Sequence, residues 1–123
     1  MRCEGLETPY QVRFANEAIA SVCDATPDKG GQGQGFRPHE LLEAALGSCM
    51  TMMLMMYAQT HGIPLEKAVV TVRLDRGEPG VTTFASDIEL IGELDENQRK
   101  RLLRAARACP VRKTLSNTIV FGE

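Results

Sequence analysis

The sequence predicts an α+β fold: N-terminal strands, a long buried central helix, a β-hairpin, a second helix and a terminal strand. Three observations carry this. Near the N-terminus apolar and polar residues alternate with a period of two. From Ala44 to Leu65 there is no Asp, Glu, Lys or Arg. A basic amphipathic stretch then follows a segment punctuated by Gly and Pro. The 123 residues suit a single domain over 1–123.

Each element has its own signal. Tyr10, Val12 and Phe14 alternate with Gln11 and Arg13, Ala15-Asn16-Glu17 makes a turn, and Ile19 to Cys23 returns, so Thr8–Asp24 reads as a hairpin. Asp24–Arg37 carries Pro27, Gly30, Gly31, Gly33 and Gly35 and reads as a flexible connection. Its Gly-Gly-Gln-Gly-Gln-Gly run lacks the strand, helix and Lys of a phosphate loop. Pro38, a good first-turn residue, opens a helix to His61 that Gly62 and Pro64 end. Leu41, Leu42, Ala45, Leu46, Cys49, Met53 and Met56 define one face, yet most of the remaining circumference is apolar as well. Such a helix asks for burial nearly all round. A chain this short has little material to wrap it, so the pattern predicts that it packs against a symmetry mate inside a homodimer. Ala68–Arg73 and Thr82–Leu90 form a hairpin through Gly77-Glu78-Pro79-Gly80. Asp95 caps the second helix, which presents a basic face and stops at Cys109-Pro110. Thr118–Phe121 supplies the terminal strand.

Composition narrows the function. Lys plus Arg number 14 against 16 Asp plus Glu, and there is no Trp, so neither a basic field nor a stacking platform for nucleic acid exists. The charged N-terminus, Met-Arg-Cys-Glu-Gly-Leu-Glu, is no signal peptide. The most apolar stretch, Ala44–Ala58, is 15 residues long, short for a bilayer span. A cytoplasmic protein without a membrane partner is expected.

Four cysteines stand at positions 3, 23, 49 and 109, without a Cys-x-x-Cys pair or a zinc-ribbon spacing. A free Cys is commonly a small buried hydrophobe, and each of these fits that role by spacing alone. Two have distinctive surroundings. Gly47-Ser48 before Cys49 leaves backbone room and a possible cap, and Pro110 after Cys109 sets a chain reversal. A metal site from Cys49, Cys109 and a His matches no established ligand spacing. The methionines at 50, 52, 53, 55 and 56 fit either irregular core filler or the lining of an apolar channel.

Two motifs carry a resemblance. Pro38-His39-Glu40-Leu41-Leu42-Glu43-Ala44-Ala45-Leu46-Gly47-Ser48-Cys49 resembles the first cysteine motif of the OsmC/Ohr family. Ala106-Arg107-Ala108-Cys109-Pro110-Val111-Arg112-Lys113-Thr114-Leu115 resembles its second. The order of elements agrees too, over nearly the whole chain. The resemblance implies an intertwined OsmC-like homodimer, its long helices at the centre, acting as an antioxidant thiol peroxidase on organic hydroperoxides. Cys49 would be peroxidatic and Cys109 resolving, with no cofactor. An external dithiol, a lipoylated protein in the family's characterised branch, would be the reductant. It also implies an Arg and a Glu beside the reactive thiolate. Here those are Arg13 or Arg37 and Glu40, although His39 follows Pro38 where the Ohr branch has Glu. Nine residues of straight helix put Glu40 about 13 Å from Cys49. Hence the helix breaks near Gly47, Glu40 serves a second subunit, or it is a first-turn dipole partner only. The competing function is a non-enzymatic small-ligand-binding dimer with passive thiols.

Overall fold

The computed structural model describes residues 1–123. Its order is β1 (Arg2–Gly5), β2 (Val12–Ala15), β3 (Ala20–Cys23), α1 (Pro38–Thr60), β4 (Leu65–Asp75), β5 (Thr83–Gly92), α2 (Glu96–Arg107) and α3 (Pro110–Ser116). The chain divides into two compact units, Met1–Leu42 and Glu43–Glu123.

In the first unit β1, β2 and β3 form an antiparallel sheet in that order. The β2–β3 hairpin is the expected one. Asn16 closes it, its side chain accepting from Ala18 N at 2.8 Å and Ile19 N at 2.7 Å. Tyr10 lies outside the strand, in a turn at φ 70°. β1 escaped the sequence reading, because Arg-Cys-Glu-Gly has no buried face to impose alternation.

The Gly-rich segment is not a flexible connection. Asp24 is buried, and its carboxylate accepts from Ala25 N (2.7 Å), Gln34 N (3.0 Å), Gln32 N (3.3 Å) and Gln11 Nε2 (3.2 Å). The Gln34 N–H leads these donors in holding Asp24 below the usual carboxylate range, against the opposing effect of burial. Phe36 returns alongside Cys23 in a parallel bridge. The glycines allow close approach: a Cβ on Gly31 would meet the Ala25 backbone, and one on Gly35 the Val22 carbonyl.

In the second unit β4 and β5 pair antiparallel, with Val70 opposite Ile88 and Val72 opposite Ser86. The core joins Leu46, Met50, Leu54 and Ala58 of α1 to Ile63, Leu102, Ala106 and Cys109. Val70, Val72, Phe84, Ile88 and Leu90 pack on it from the sheet. Gly62, at φ 61°, ends α1, and Ile63 N reaches back to Ala58 O at 2.9 Å. Asp95 caps α2 as expected, accepting from Gln98 N at 2.7 Å while Gln98 Oε1 accepts from Asp95 N at 3.0 Å.

Three expectations need correction. α1 is buried along one stripe only, spaced Leu46, Met50, Leu54 and Ala58. Leu42 and Met56, expected on that face, are exposed, as are Met52 and Met55. One sheet together with α2 and α3 of this chain covers only one side of α1. At 23 residues α1 is also long and apolar enough to cross a membrane by length and composition alone, so the shortness of Ala44–Ala58 excludes nothing. Thr118–Phe121 is not a strand, since no edge of this chain pairs with it. Instead, residues 110–116 form α3, which Pro110 opens as a first-turn proline.

Candidate active site

The sequence-predicted residues fall into three groups. Cys49 and Cys109 come together in the second unit. Arg37 and Glu40 pair with each other. Arg13 lies on β2 in the first unit, exposed and outside every ion pair.

Cys49 lies in the middle of α1 and is half-buried. It therefore lacks the helix N-terminus that Gly47-Ser48 suggested. Gly47 has a different use. It lets α1 lie close on β4, since an added Cβ would stand 3.3 Å from Val72 Cγ2. Helix continuity here also settles one question: α1 does not break near Gly47.

It is Cys109 that caps a helix. Its Sγ accepts from Arg112 N at 3.3 Å, at the start of α3. The side chain is fully buried. Burial pushes the Cys109 thiol up, the Arg112 N–H opposes this, and the adjoining Cys49 thiol raises it further by hydrogen bonding and charge. Both cysteines are free thiols. Cys109 belongs to the core cluster and Cys49 packs against it. The site thus holds two reduced thiols as neighbours in one packed cluster, one sealed and one half-buried. Such a pair can close a disulfide without bringing in another thiol. No third His, Cys, Asp or Glu gathers there to complete a metal site.

Glu40 accepts from Arg37 N at 2.8 Å and pairs with Arg37 Nε at 3.4 Å. The Arg37 N–H is the leading cause holding the Glu40 carboxyl below its ordinary range. This is the N3 half of a capping box at the start of α1. Glu40 remains nine residues, or about 13 Å of rise, from Cys49 on the unbroken helix. Cys3 and Cys23 lie on β1 and β3, with β2 between them.

Sequence reading missed two features around the sulfur pair. Glu43 accepts from Leu74 N at 2.8 Å, tying α1 to β4. Tyr57 accepts from Arg101 Nε at 3.1 Å, tying α1 to α2. The spacing of Tyr57 from Cys49, eight residues on one helix, was the available signal for the second. An open groove of about 630 Å³ also runs between α1 and β4, lined among others by Ser48, Thr51, Met52, Met55 and Val70.

The family model described as OsmC-like protein matches residues 31–123. Among solved structures, the chain resembles a protein of osmotic stress and detoxification response from Psychrobacter arcticus. Identity is 23%, the TM-score is 0.76, and 92% of this chain and 85% of that one are covered. It also resembles an organic hydroperoxide resistance protein OsmC from Legionella pneumophila, at 20% identity and TM-score 0.67, covering 94% and 87%. For the organic hydroperoxide resistance protein OhrB of Bacillus subtilis the values are 18% and 0.62, covering 95% and 89%. These likenesses show a shared fold. No curated protein matches the chain in sequence.

Proposed function

The chain belongs to the OsmC-like protein family, and from that premise we propose that it is a cytoplasmic thiol peroxidase acting on organic hydroperoxides. The observation that carries the reading is that Cys49 and Cys109, sixty positions apart in sequence, are neighbours in one packed cluster. The names of the organic hydroperoxide resistance proteins sharing the fold support the substrate class.

The steps follow from thiol chemistry. The Cys49 thiolate attacks one oxygen of the O–O bond. That bond breaks, the alcohol leaves after taking up a proton, and Cys49 becomes a sulfenic acid. Cys109, deprotonated as it reacts, attacks the Cys49 sulfur. The S–O bond breaks, water leaves and the disulfide closes. An external dithiol then returns both thiols and is itself oxidised. Burial keeps Cys109 protonated until then, so it does not compete for peroxide. Arg13 is the better candidate for the activating cation, because Arg37 is already committed to Glu40. Glu40 acts through that pair at the helix start, and reaches a thiol only in a second subunit.

The working form is a homodimer. Met52, Met55 and Met56 are each roughly 60% exposed (60%, 58% and 61%), which is unusual for three large apolar side chains on one helix. A second copy covering that face explains the charge-free run.

One equivalent of cumene hydroperoxide added to the reduced protein tests the reading. The expected result is loss of two thiols per chain in the wild type and of none at this site in Cys49→Ala. Retention of all thiols in the wild type overturns it. A chain that then binds apolar ligands in the groove along α1 and β4 is a passive carrier instead.

A further inference from the structure

Cys49 and Cys109 are not the only link between α1 and the segment of α2. Tyr57 and Arg101 form a second one, by the 3.1 Å hydrogen bond and with the guanidinium carbon 5.5 Å from the ring centroid. The spacing between the two links is the same on both sides. Cys49 and Tyr57 are eight residues apart, and so are Arg101 and Cys109. The order is reversed, as antiparallel packing requires. On α1 the two links stand about 12 Å apart along the helix, while on the other side Arg101 lies within α2 and Cys109 just past its C-cap.

The register of α1 against α2 needs defining. The contacts between the links are made by Met50, Leu54, Leu102 and Ala106, all apolar. Apolar packing is non-directional and tolerates repacking. A disulfide is strict, demanding a Cα separation of about 4.4 to 6.8 Å. A slip of one residue moves a helix by about 1.5 Å and turns its side chains by about 100°. The Tyr57 ring is itself held in place. It stacks on His61 with centroids 4.0 Å apart, and His61 Nδ1 bonds the Tyr57 carbonyl at 3.0 Å.

We propose that Tyr57 and Arg101 are a positioning pair, whose hydrogen bond fixes α1 against α2 in the register that lets the Cys49 and Cys109 sulfurs bond. The proposal rests on the reading of those cysteines as a redox pair, though not on any peroxide being their oxidant.

The test is the equilibrium of the Cys49–Cys109 disulfide with glutathione, read as the ratio of oxidised to reduced protein across mixtures of reduced and oxidised glutathione. No peroxide is present. Tyr57→Phe removes only the hydroxyl and Arg101→Met only the donors. Each is expected to lower the disulfide equilibrium constant about three- to tenfold. The double variant is expected to fall no further than the single ones, as two partners of one bond should. Arg101→Lys, which retains a donor, is expected to recover most of the loss. Urea unfolding of the reduced proteins gives the control. A merely structural role lowers stability and leaves the glutathione equilibrium unmoved. Equilibria within twofold of wild type in Arg101→Met, or additive losses in the double variant, overturn the proposal. So does a wild-type chain that forms no Cys49–Cys109 disulfide. A chain that forms it with the expected variant losses, yet consumes no hydroperoxide, upholds the positioning pair and overturns the peroxidase reading alone. Should Tyr57→Phe not fold, the Arg101→Met and Arg101→Lys contrast decides.

Discussion

Replacing Gly31 with alanine tests how rigid the Gly-rich segment is. The added Cβ would fall on the Ala25 carbonyl oxygen, and would lie 2.5 Å from its carbon and 2.8 Å from Ala25 Cα. Carbon atoms at optimal contact are about 3.5–4.0 Å apart, and every atom it meets is backbone. No rotamer change relieves the overlap, so the two passes of chain must separate. Two backbone hydrogen bonds span that gap: Gly31 N to Thr26 O and Gly33 N to Ala25 O, both at 3.1 Å. At about 1 kcal/mol each, their loss predicts that Gly31→Ala destabilises the chain by about 2 kcal/mol, and more once the donors to Asp24 are pulled away. Urea unfolding measures this directly. Gly5→Ala is the control, because nothing lies within 4 Å of its Cβ, and it should be neutral. A Gly31→Ala midpoint indistinguishable from that control would refute the reasoning and restore the segment to a flexible connection.

Other outcomes follow from the same contacts. Cys109→Ala should leave Cys49 one oxygen heavier after a single equivalent of hydroperoxide, and then overoxidised by excess, as mass spectrometry reads. Leu102→Ala, at a fully buried position in the core cluster, should cost about 2–5 kcal/mol by urea unfolding. Asp24 titrates lower folded than unfolded, so its contribution is complete above the unfolded value and disappears as pH falls through the folded one. Stability should therefore decline on acidification from about pH 4 downward, and Asp24→Asn should lose that part of the pH dependence. Met55→Glu puts a charge on the exposed stripe of α1 and should shift sedimentation from dimer to monomer without unfolding the chain.

What the sequence made legible was what local chemistry enforces. Asp95 announced the start of α2, Asn16 the hairpin, Gly62 the end of α1, and each holds. Two kinds of feature were hidden. Asp24 looks like any loop aspartate, because the donors that bury it come from Gln11, Gln32 and Gln34, residues without a pattern of their own. The apolar stripe of α1 was misplaced because a helix apolar on most sides offers periodicity no purchase. Only the sheet and α2 decide that Met50 and Leu54 turn inward while Met52 and Met55 do not. The cysteine motifs were legible as a pair, but not which sulfur caps a helix. Cys109 holds that place, through an α3 that Pro110 opens and that ordinary periodicity over seven residues cannot reveal.

The position of Cys49 between the two sides of α1 bears on its proposed role. Its neighbour Met50 is in the core and Ser48 is exposed on the groove along β4. A peroxidatic sulfur has two opposed requirements: contact with a sealed resolving thiol and access for a substrate. A residue wholly on the buried stripe meets the first alone, and one wholly on the methionine side meets the second alone. A half-buried residue at their boundary meets both without the helix moving. The same placement gives a second copy of the chain a direct influence on the chemistry. Met52 is three residues on from Cys49 and therefore its neighbour on the helix surface, so whatever covers Met52 also narrows the approach to Cys49. Pairing then both stabilises α1 and shapes the entrance to the thiol, so a variant that separates subunits should lose peroxide turnover in proportion to the monomer formed, even with both sulfurs intact.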